Sequence, residues 1–177
     1  MPKRQGYGEV GVSLELKSTP RAHGGKKMTT VKDVLKGKAS EIWSVGPRDS
    51  VFDALTMMAE KEIGAVMVMD GNGRPLGIFS ERDYARKVIL KGKSSKKTAV
   101  EEIMTPVAEM YGVKPESTLE EAMVMITGKK VRHLPVCNGK HVVGLISIGD
   151  VLKSIIADKN IEIEHLSSYI AGTYVHG

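Results

Sequence analysis

Apolar residues recur with a helical period in two stretches that lie 68 positions apart, as Pro47 and Pro115 show (115 − 47). Each stretch has apolar residues at i, i+3, i+4 and i+7, which predicts a helix with one buried face. The positions are Val51, Ala54, Leu55 and Met58 in the first stretch and Leu119, Ala122, Met123 and Ile126 in the second. A hydroxyl residue stands just before each pattern, with an acid three residues later. These pairs, Ser50 with Asp53 and Thr118 with Glu121, predict capped helix starts.

Two short apolar runs separated by a turn follow each predicted helix. The first runs are "AVMVM" and "HLPVC", the turns are "DGNGRP" and "NGKH", and the second runs end in "LGIFS" and "VVGLIS". Such runs bounded by Gly, Asn and Pro predict strands. A second helix then begins in "ERDYARKVIL" and in "IGDVLKSIIA". The sequence therefore predicts an α/β (α+β) fold built from two copies of a strand-helix-strand-strand-helix unit.

The boundaries of these units divide the chain into five segments. Residues 1–28 form a tail or an edge strand, 29–92 and 99–158 are the two units, 93–98 are a basic linker, and 159–177 are a C-terminal helix and tail. Val10, Val12, Leu14 and Leu16 alternate with the period of a strand, and a transit peptide is the alternative for this lead. A stripe of Ile163, Leu166 and Ile170 lacks an obvious partner inside the chain, which favours a homodimer.

Composition narrows the class of protein. The 177 residues are 41% hydrophobic, and the longest clean apolar run, at 65–69, is far shorter than the roughly 20 residues of a membrane span. The single Cys137 allows no internal disulfide, which is typical of a reducing compartment, so we expect a cytoplasmic protein, with an organelle as the alternative. A net charge of +5 favours anionic partners. Aromatic residues make up only 5% of the chain and the basic residues are dispersed, which disfavours nucleic acid as that partner.

One turn occurs in both units: "GIFSERD" at 77–83 and "GLISIGD" at 144–150, 67 positions apart (144 − 77). Ser80 and Ser147 each follow a strand and open a helix, with Asp83 and Asp150 three residues later. A capping box explains this spacing. A helix start also presents free N–H groups to a phosphate, and a carboxylate there can accept bonds from ribose hydroxyls. Both interpretations stay open from the residues alone.

The duplicated unit, the two G-h-h-S-x-x-D turns and "RHLPV" at 132–136 resemble a tandem pair of cystathionine β-synthase (CBS) domains, called a Bateman module. The resemblance covers about residues 29–158 and extends to stand-alone paired-domain proteins of bacteria and plant organelles. It implies two repeats packed about a pseudo-two-fold axis, with an adenosyl nucleotide in the cleft between them. AMP, ADP or ATP is the implied ligand, and NADH or S-adenosylmethionine is also possible.

The resemblance also implies which residues bind that ligand. The turn Ser and Asp would contact ribose and phosphate, the segments 42–45 and 110–113 would hold the adenine, and the Arg-His pair would reach phosphate. The candidate residues are Ile42, Val45, Ser80, Arg82, Asp83, Val113, Arg132, His133, Pro135, Ser147, Gly149 and Asp150. The first unit departs from the pattern, because Gly64 and Ala65 stand where the second has Arg132 and His133. We therefore expect unequal sites, with the Asp150 turn the stronger.

The implied function is a non-enzymatic regulatory module that signals energy or redox state to an unidentified protein. An enzyme acting on nucleotides is the alternative. It would need a general base, a nucleophile or a metal cluster, but the five histidines show no metal-binding or catalytic spacing. We expect no metal, no covalent cofactor and no catalytic residue.

Overall fold

The computed structural model describes residues 29–38, 41–139 and 141–173, so the predicted N-terminal strand lies outside the described residues. The helices are α1 (Val31–Lys36), α2 (Val51–Glu60), α3 (Glu81–Lys87), α4 (Leu119–Lys129) and α5 (Ile148–Thr173). The strands are β1 (Ser44–Val45), β2 (Ala65–Met69), β3 (Pro75–Ser80), β4 (Thr105–Pro106), β5 (His133–Asn138) and β6 (His141–Ser147). This mixed α/β architecture with two repeats agrees with the fold expected from the sequence.

Three strands of the first repeat and β4 from the opening segment of the second form a four-stranded sheet in the order β1-β2-β3-β4. β1 runs parallel to β2, and the other neighbours are antiparallel. The apolar face of α2 packs against this sheet, with Val51, Ala54 and Met58 in one core with Phe79. The i, i+3, i+7 pattern of the sequence thus supplies the buried face of the helix.

The second repeat is a reduced copy of the first. Among the described residues its sheet consists of β5 and β6, and the expected opening strand is a single bridge between Val113 and Val136. Its last helix is longer than expected, because α5 runs from Ile148 to Thr173 without a break at 158. The C-terminal helix expected over 159–177 is therefore the continuation of the repeat's own helix.

The opening segment of each repeat packs on the other repeat. Val31 of α1 lies in the core of the second repeat, and its N–H donates to the carbonyl of Ser117. Val100, which follows the linker, lies in the core of the first repeat, where its N–H donates to the carbonyl of Asp49. The linker is also engaged, because the Val51 N–H at the start of α2 donates to the carbonyl of the buried Thr98. The two halves therefore share their cores.

The glycine that begins each repeated turn admits this crossing segment. A Cβ at Gly77 would lie 2.5 Å from the carbonyl oxygen of Thr105, and one at Gly144 would lie 2.7 Å from the Leu35 side chain. Both distances are shorter than carbon can tolerate without a shift of its neighbour. The first Gly of the G-h-h-S-x-x-D motif is thus required by packing and not by the turn itself.

A smaller apolar cluster contains residues of both repeats. It holds Met67 of β2, Met110, and Cys137 and Val142 of the second sheet. Burial raises the pKa of the Cys137 thiol to about 11, so the thiol stays protonated and packs as an apolar group. Among the described helices, none combines the length and apolarity that a membrane span requires.

Candidate functional site

Both repeated turns form capping boxes. In the first, the Asp83 carboxylate accepts from the backbone N–H and the hydroxyl of Ser80, with the hydroxyl at 2.6 Å. In the second, the Asp150 carboxylate accepts from the same two groups of Ser147, at 2.7 and 2.9 Å. The capping interpretation of the motif is therefore present in both copies. A carboxylate has about four acceptor positions, so capping does not exhaust it.

The first turn opens into a cleft of about 390 Å³ formed by both repeats. From the first repeat come Gly64, Ile78, Ser80, Glu81, Arg82, Asp83, Arg86 and Lys87. From the second come Thr105, Glu109, Met110, Tyr111, Lys129, Lys130, Val131, Arg132, His133 and Pro135. The Ser80–Asp83 turn therefore faces the Arg132–His133 pair, a combination that the sequence left open.

The predicted site residues divide between this cleft and other places. Ser80, Arg82, Asp83, Arg132, His133 and Pro135 line the cleft. Ile42, Val45, Val113, Ser147, Gly149 and Asp150 are not among its lining residues. Val45 and Val113 are buried core residues of the two repeats. The sequence favoured Asp150 because Arg132 and His133 belong to the same repeat. That reason does not hold, because Arg132 and His133 line the cleft of the Asp83 turn.

The second turn is held by a cation from within the chain. Lys38 Nζ lies 2.8 Å from a carboxylate oxygen of Asp150 and 3.3 Å from the carbonyl oxygen of Leu145. Burial alone would raise the pKa of Asp150, but the hydrogen bonds from Lys38 and Ser147 outweigh burial and lower it. Lys38 thus already supplies Asp150 with a positive partner, and Arg132 and His133 are not needed there.

His133 lies between the cleft and this ion pair. Burial lowers its pKa below the usual range, the positive charges of Lys38 and Arg132 lower it further, and Asp150 opposes them. The ring is therefore neutral at pH 7, with one nitrogen able to donate and the other able to accept. A Cβ at Gly64 would lie 3.1 Å from its Cε1 atom, so the small residue of the first repeat leaves the space that the His133 ring fills.

Four basic lining residues are not among the predicted site residues: Arg86, Lys87, Lys129 and Lys130. Lys129 Nζ lies 4.7 Å from the centroid of the Tyr111 ring, a cation–π contact. A signal for this pair was available, since Trp43 and Lys61 occupy the same positions in the first repeat and make the same contact at 4.2 Å. The four basic residues stand outside the motif, and only the fold brings them to one cleft.

Within the described residues, no group of three or more His, Cys, Asp and Glu side chains is placed to hold a metal ion.

Known proteins with similar sequences or structures carry the same paired architecture. The CBS domain family model matches residues 30–89 and 100–157. The chain is 39% identical over 157 residues to "CBS domain-containing protein CBSX3, mitochondrial" of Arabidopsis thaliana, covering 85% of this chain and 76% of that protein. The structure of a protein with CBS domains from Burkholderia ambifaria is 50% identical, with a TM-score of 0.69 over 73% of this chain and 96% of the other.

A more distant structure is informative for its ligands. The CBS domain pair of protein MJ0100, solved with 5′-methylthioadenosine and S-adenosyl-L-methionine, is 20% identical, with a TM-score of 0.65 over 75% of this chain and 99% of the other. At that identity the likeness concerns the fold. The two matched segments, the shared cores and the duplicated turns agree on one conclusion: the chain belongs to the CBS domain family and contains a tandem pair of CBS domains, a regulatory module.

Proposed function

We propose that this CBS pair is a non-enzymatic sensor that binds one adenosyl nucleotide in the cleft of the Ser80–Asp83 turn and relays its presence to a partner protein. The observation that carries the proposal is the cleft itself. It combines a helix start with a carboxylate, an aromatic ring and a set of basic side chains at the junction of the two repeats.

Each part of the ligand has a matching group in the cleft. The Asp83 carboxylate keeps acceptor capacity beyond Ser80 and Lys87, whose Nζ lies 2.8 Å from Oδ1, and this capacity suits ribose hydroxyls. Met110, Tyr111 and Pro135 offer apolar and aromatic surface for the adenine. Arg132 and the other basic side chains suit phosphate oxygens. The adenosyl ligands of the MJ0100 pair are a precedent for this ligand class on the same fold.

A thermal-shift panel of AMP, ADP, ATP, NADH and S-adenosylmethionine tests the proposal. A ligand at 100 times its Kd should raise the free energy of unfolding by about 2.7 kcal/mol. The nucleotide should be recovered unchanged by chromatography after overnight incubation. Turnover that Asp83→Ala abolishes would instead support the enzyme alternative, and the absence of any shift would reject the sensor.

We also propose that the module is a homodimer. Leu152, Ile156 and Ile163 lie on α5 at helical spacing, with 44%, 57% and 60% of their surface exposed. The side chains of Leu166 and Ile170, the rest of the predicted stripe, lie outside the described residues. Exposed apolar stripes mark interfaces. Light scattering at micromolar concentration should give twice the chain mass, and a monomer mass would reject the dimer.

A further inference from the structure

The basic side chains of the cleft exceed what one phosphate requires. Six Lys or Arg residues line it against three carboxylates, those of Glu81, Asp83 and Glu109. One of these carboxylates, that of Asp83, already accepts a hydrogen bond from Ser80 and forms an ion pair with Lys87. The cleft therefore carries an excess of positive charge, which its concave shape concentrates.

Helix dipoles account for only some of these cations. Arg86 and Lys87 in the last turn of α3, and Lys129 at the end of α4, lie where a helix C-terminus favours a positive charge. Arg82 does not fit that explanation, because it lies in the first turn of α3, where the dipole disfavours a cation. Arg132 lies beyond the end of α4, at the entry to β5. These two side chains therefore need another reason for their position.

Five of the six cations form no ion pair with a carboxylate of the described residues. They are Arg82, Arg86, Lys129, Lys130 and Arg132. Arg82 is held in place by donating to the backbone carbonyl of Lys130, which joins the start of α3 to the end of α4 across the cleft. The tethered guanidinium still has donors that the carbonyl does not use.

The repeat-related position in the other half carries the opposite charge. Glu62 and Lys130 occupy equivalent places after α2 and α4, and both adopt a left-handed backbone with φ of 52° and 54°. Because this backbone favours glycine, a charged residue at either place is retained at some cost in stability. Lys130 lines the cleft and Glu62 does not.

We propose that Arg82, Lys130 and Arg132 form a polyphosphate subsite, so that the cleft prefers a nucleoside di- or triphosphate to a monophosphate and rejects a cationic adenosyl sulfonium. This inference rests on the proposed function and names the ligand class for the same cleft. A phosphate chain spreads several negative charges along its length, whereas a monophosphate satisfies only one or two cations. A sulfonium ligand brings a positive charge into an already positive cleft.

Calorimetry with AMP, ADP, ATP, S-adenosylmethionine and inorganic tripolyphosphate, in EDTA and at two salt concentrations, tests the subsite. We expect Kd to fall at least about tenfold from AMP to ATP, since each added charged hydrogen bond contributes about that factor. S-adenosylmethionine should bind most weakly of the nucleosides. Tripolyphosphate should compete with ATP, and ATP affinity should fall with salt more steeply than AMP affinity.

Lys130→Gly is the decisive variant, because it removes the charge while relieving the left-handed backbone. We expect ATP affinity to fall about three- to tenfold without any loss of thermal stability, and AMP affinity to change less than twofold. Glu62→Gly is the matched control, since it makes the same backbone change outside the cleft and should leave both affinities unchanged. Arg132→Gln should act in the same direction as Lys130→Gly.

The two proposals fail in different ways. Equal affinities for AMP and ATP, or S-adenosylmethionine binding as tightly as ATP, would overturn the subsite and leave the adenosyl sensor standing. Binding of tripolyphosphate without binding of any nucleotide would overturn the sensor, and with it the preference for nucleoside polyphosphates, and would leave a plain anion site. A Lys130→Gly loss that is equal for AMP and ATP would also overturn the subsite, because the lysine would then not act on the added phosphates.

Discussion

The two repeats share their scaffold but differ in the charged residues that follow α2 in the first repeat and α4 in the second. Caps, buried helix faces, crossing segments and cation–π pairs occur in both halves. The segment "EIGA" at 62–65, however, corresponds to "KVRH" at 130–133. The half that keeps small or acidic residues supplies the turn of the cleft, and the half that has the basic residues supplies its phosphate-binding side. The two units thus share the local features that each needs to fold, and they carry different charges where they meet at the cleft.

The largest effect that separates the repeats should come from the glycines under the crossing segments. Gly77→Ala should lower the free energy of unfolding by about 2–3 kcal/mol, because its new methyl group meets a backbone oxygen of Thr105. Gly144→Ala should cost about 1 kcal/mol, since the Leu35 side chain can move aside. Gly71→Ala is the control, because a Cβ there meets nothing within 4 Å. Equal losses at 77 and 144 in urea unfolding would contradict this difference.

The second comparison concerns the two capping carboxylates. Asp83→Ala should weaken nucleotide binding about tenfold to a hundredfold, the loss expected for a charged hydrogen bond of about 1.5–3 kcal/mol. Asp150→Ala should weaken it less than threefold, because Asp150 is bonded to Lys38 and is not among the residues lining the cleft. This order reverses the sequence-based expectation. Both variants should lose about 1 kcal/mol of stability through the lost cap, which urea unfolding measures separately.

A larger loss of affinity from Asp150→Ala than from Asp83→Ala would show that the ligand occupies the second turn. That result would support the sequence-based expectation that Asp150 is the stronger carboxylate.

A pH effect between about pH 7.5 and 5 should come from His133 of the second repeat, because the equivalent residue of the first is Ala65. The lowered pKa of His133 means that the folded protein takes up this proton less readily than the unfolded chain. Stability should therefore fall as the pH drops below about 6.5, the unfolded value, towards the lowered pKa of the folded state. Thermal unfolding of His133→Gln should show a flatter pH dependence between about pH 7.5 and 5. An unchanged slope would exclude His133 as its source.

The smallest effect should separate the two cation–π pairs. Trp43→Leu and Tyr111→Leu should each lower stability by about 1 kcal/mol or less beyond the lost ring area. Only Tyr111 lines the cleft, so only Tyr111→Leu should weaken nucleotide binding. Calorimetry on the two variants decides this, and equal affinities would remove Tyr111 from the proposed adenine surface.

Local chemistry in the sequence predicted most elements of the fold, and six of the twelve site candidates line the proposed cleft. Helical spacing at Val51, Ala54 and Met58 and the Ser80–Asp83 cap predict contacts within a few residues, and these contacts are present. Helix α1 was missed, although Thr30 and Asp33 have capping-box spacing, because a helix of six residues carries too few apolar positions to show a period. The basic residues at 86, 87, 129 and 130 were missed as site residues because a charge at a helix end looks the same whether or not it faces a cleft.

The sequence by itself determined the duplicated unit, its caps and its family, since these depend on spacing along one chain. Only the tertiary structure decided that the opening segment of each repeat packs on the other, that the Asp83 turn faces Arg132 and His133, and that Lys38 pairs with Asp150. The physical reason is that a short-range pattern fixes which face of an element is apolar but not which of two similar cores receives it. That choice depends on the packing of Val31 and Val100 across the shared interface, between residues far apart in the chain.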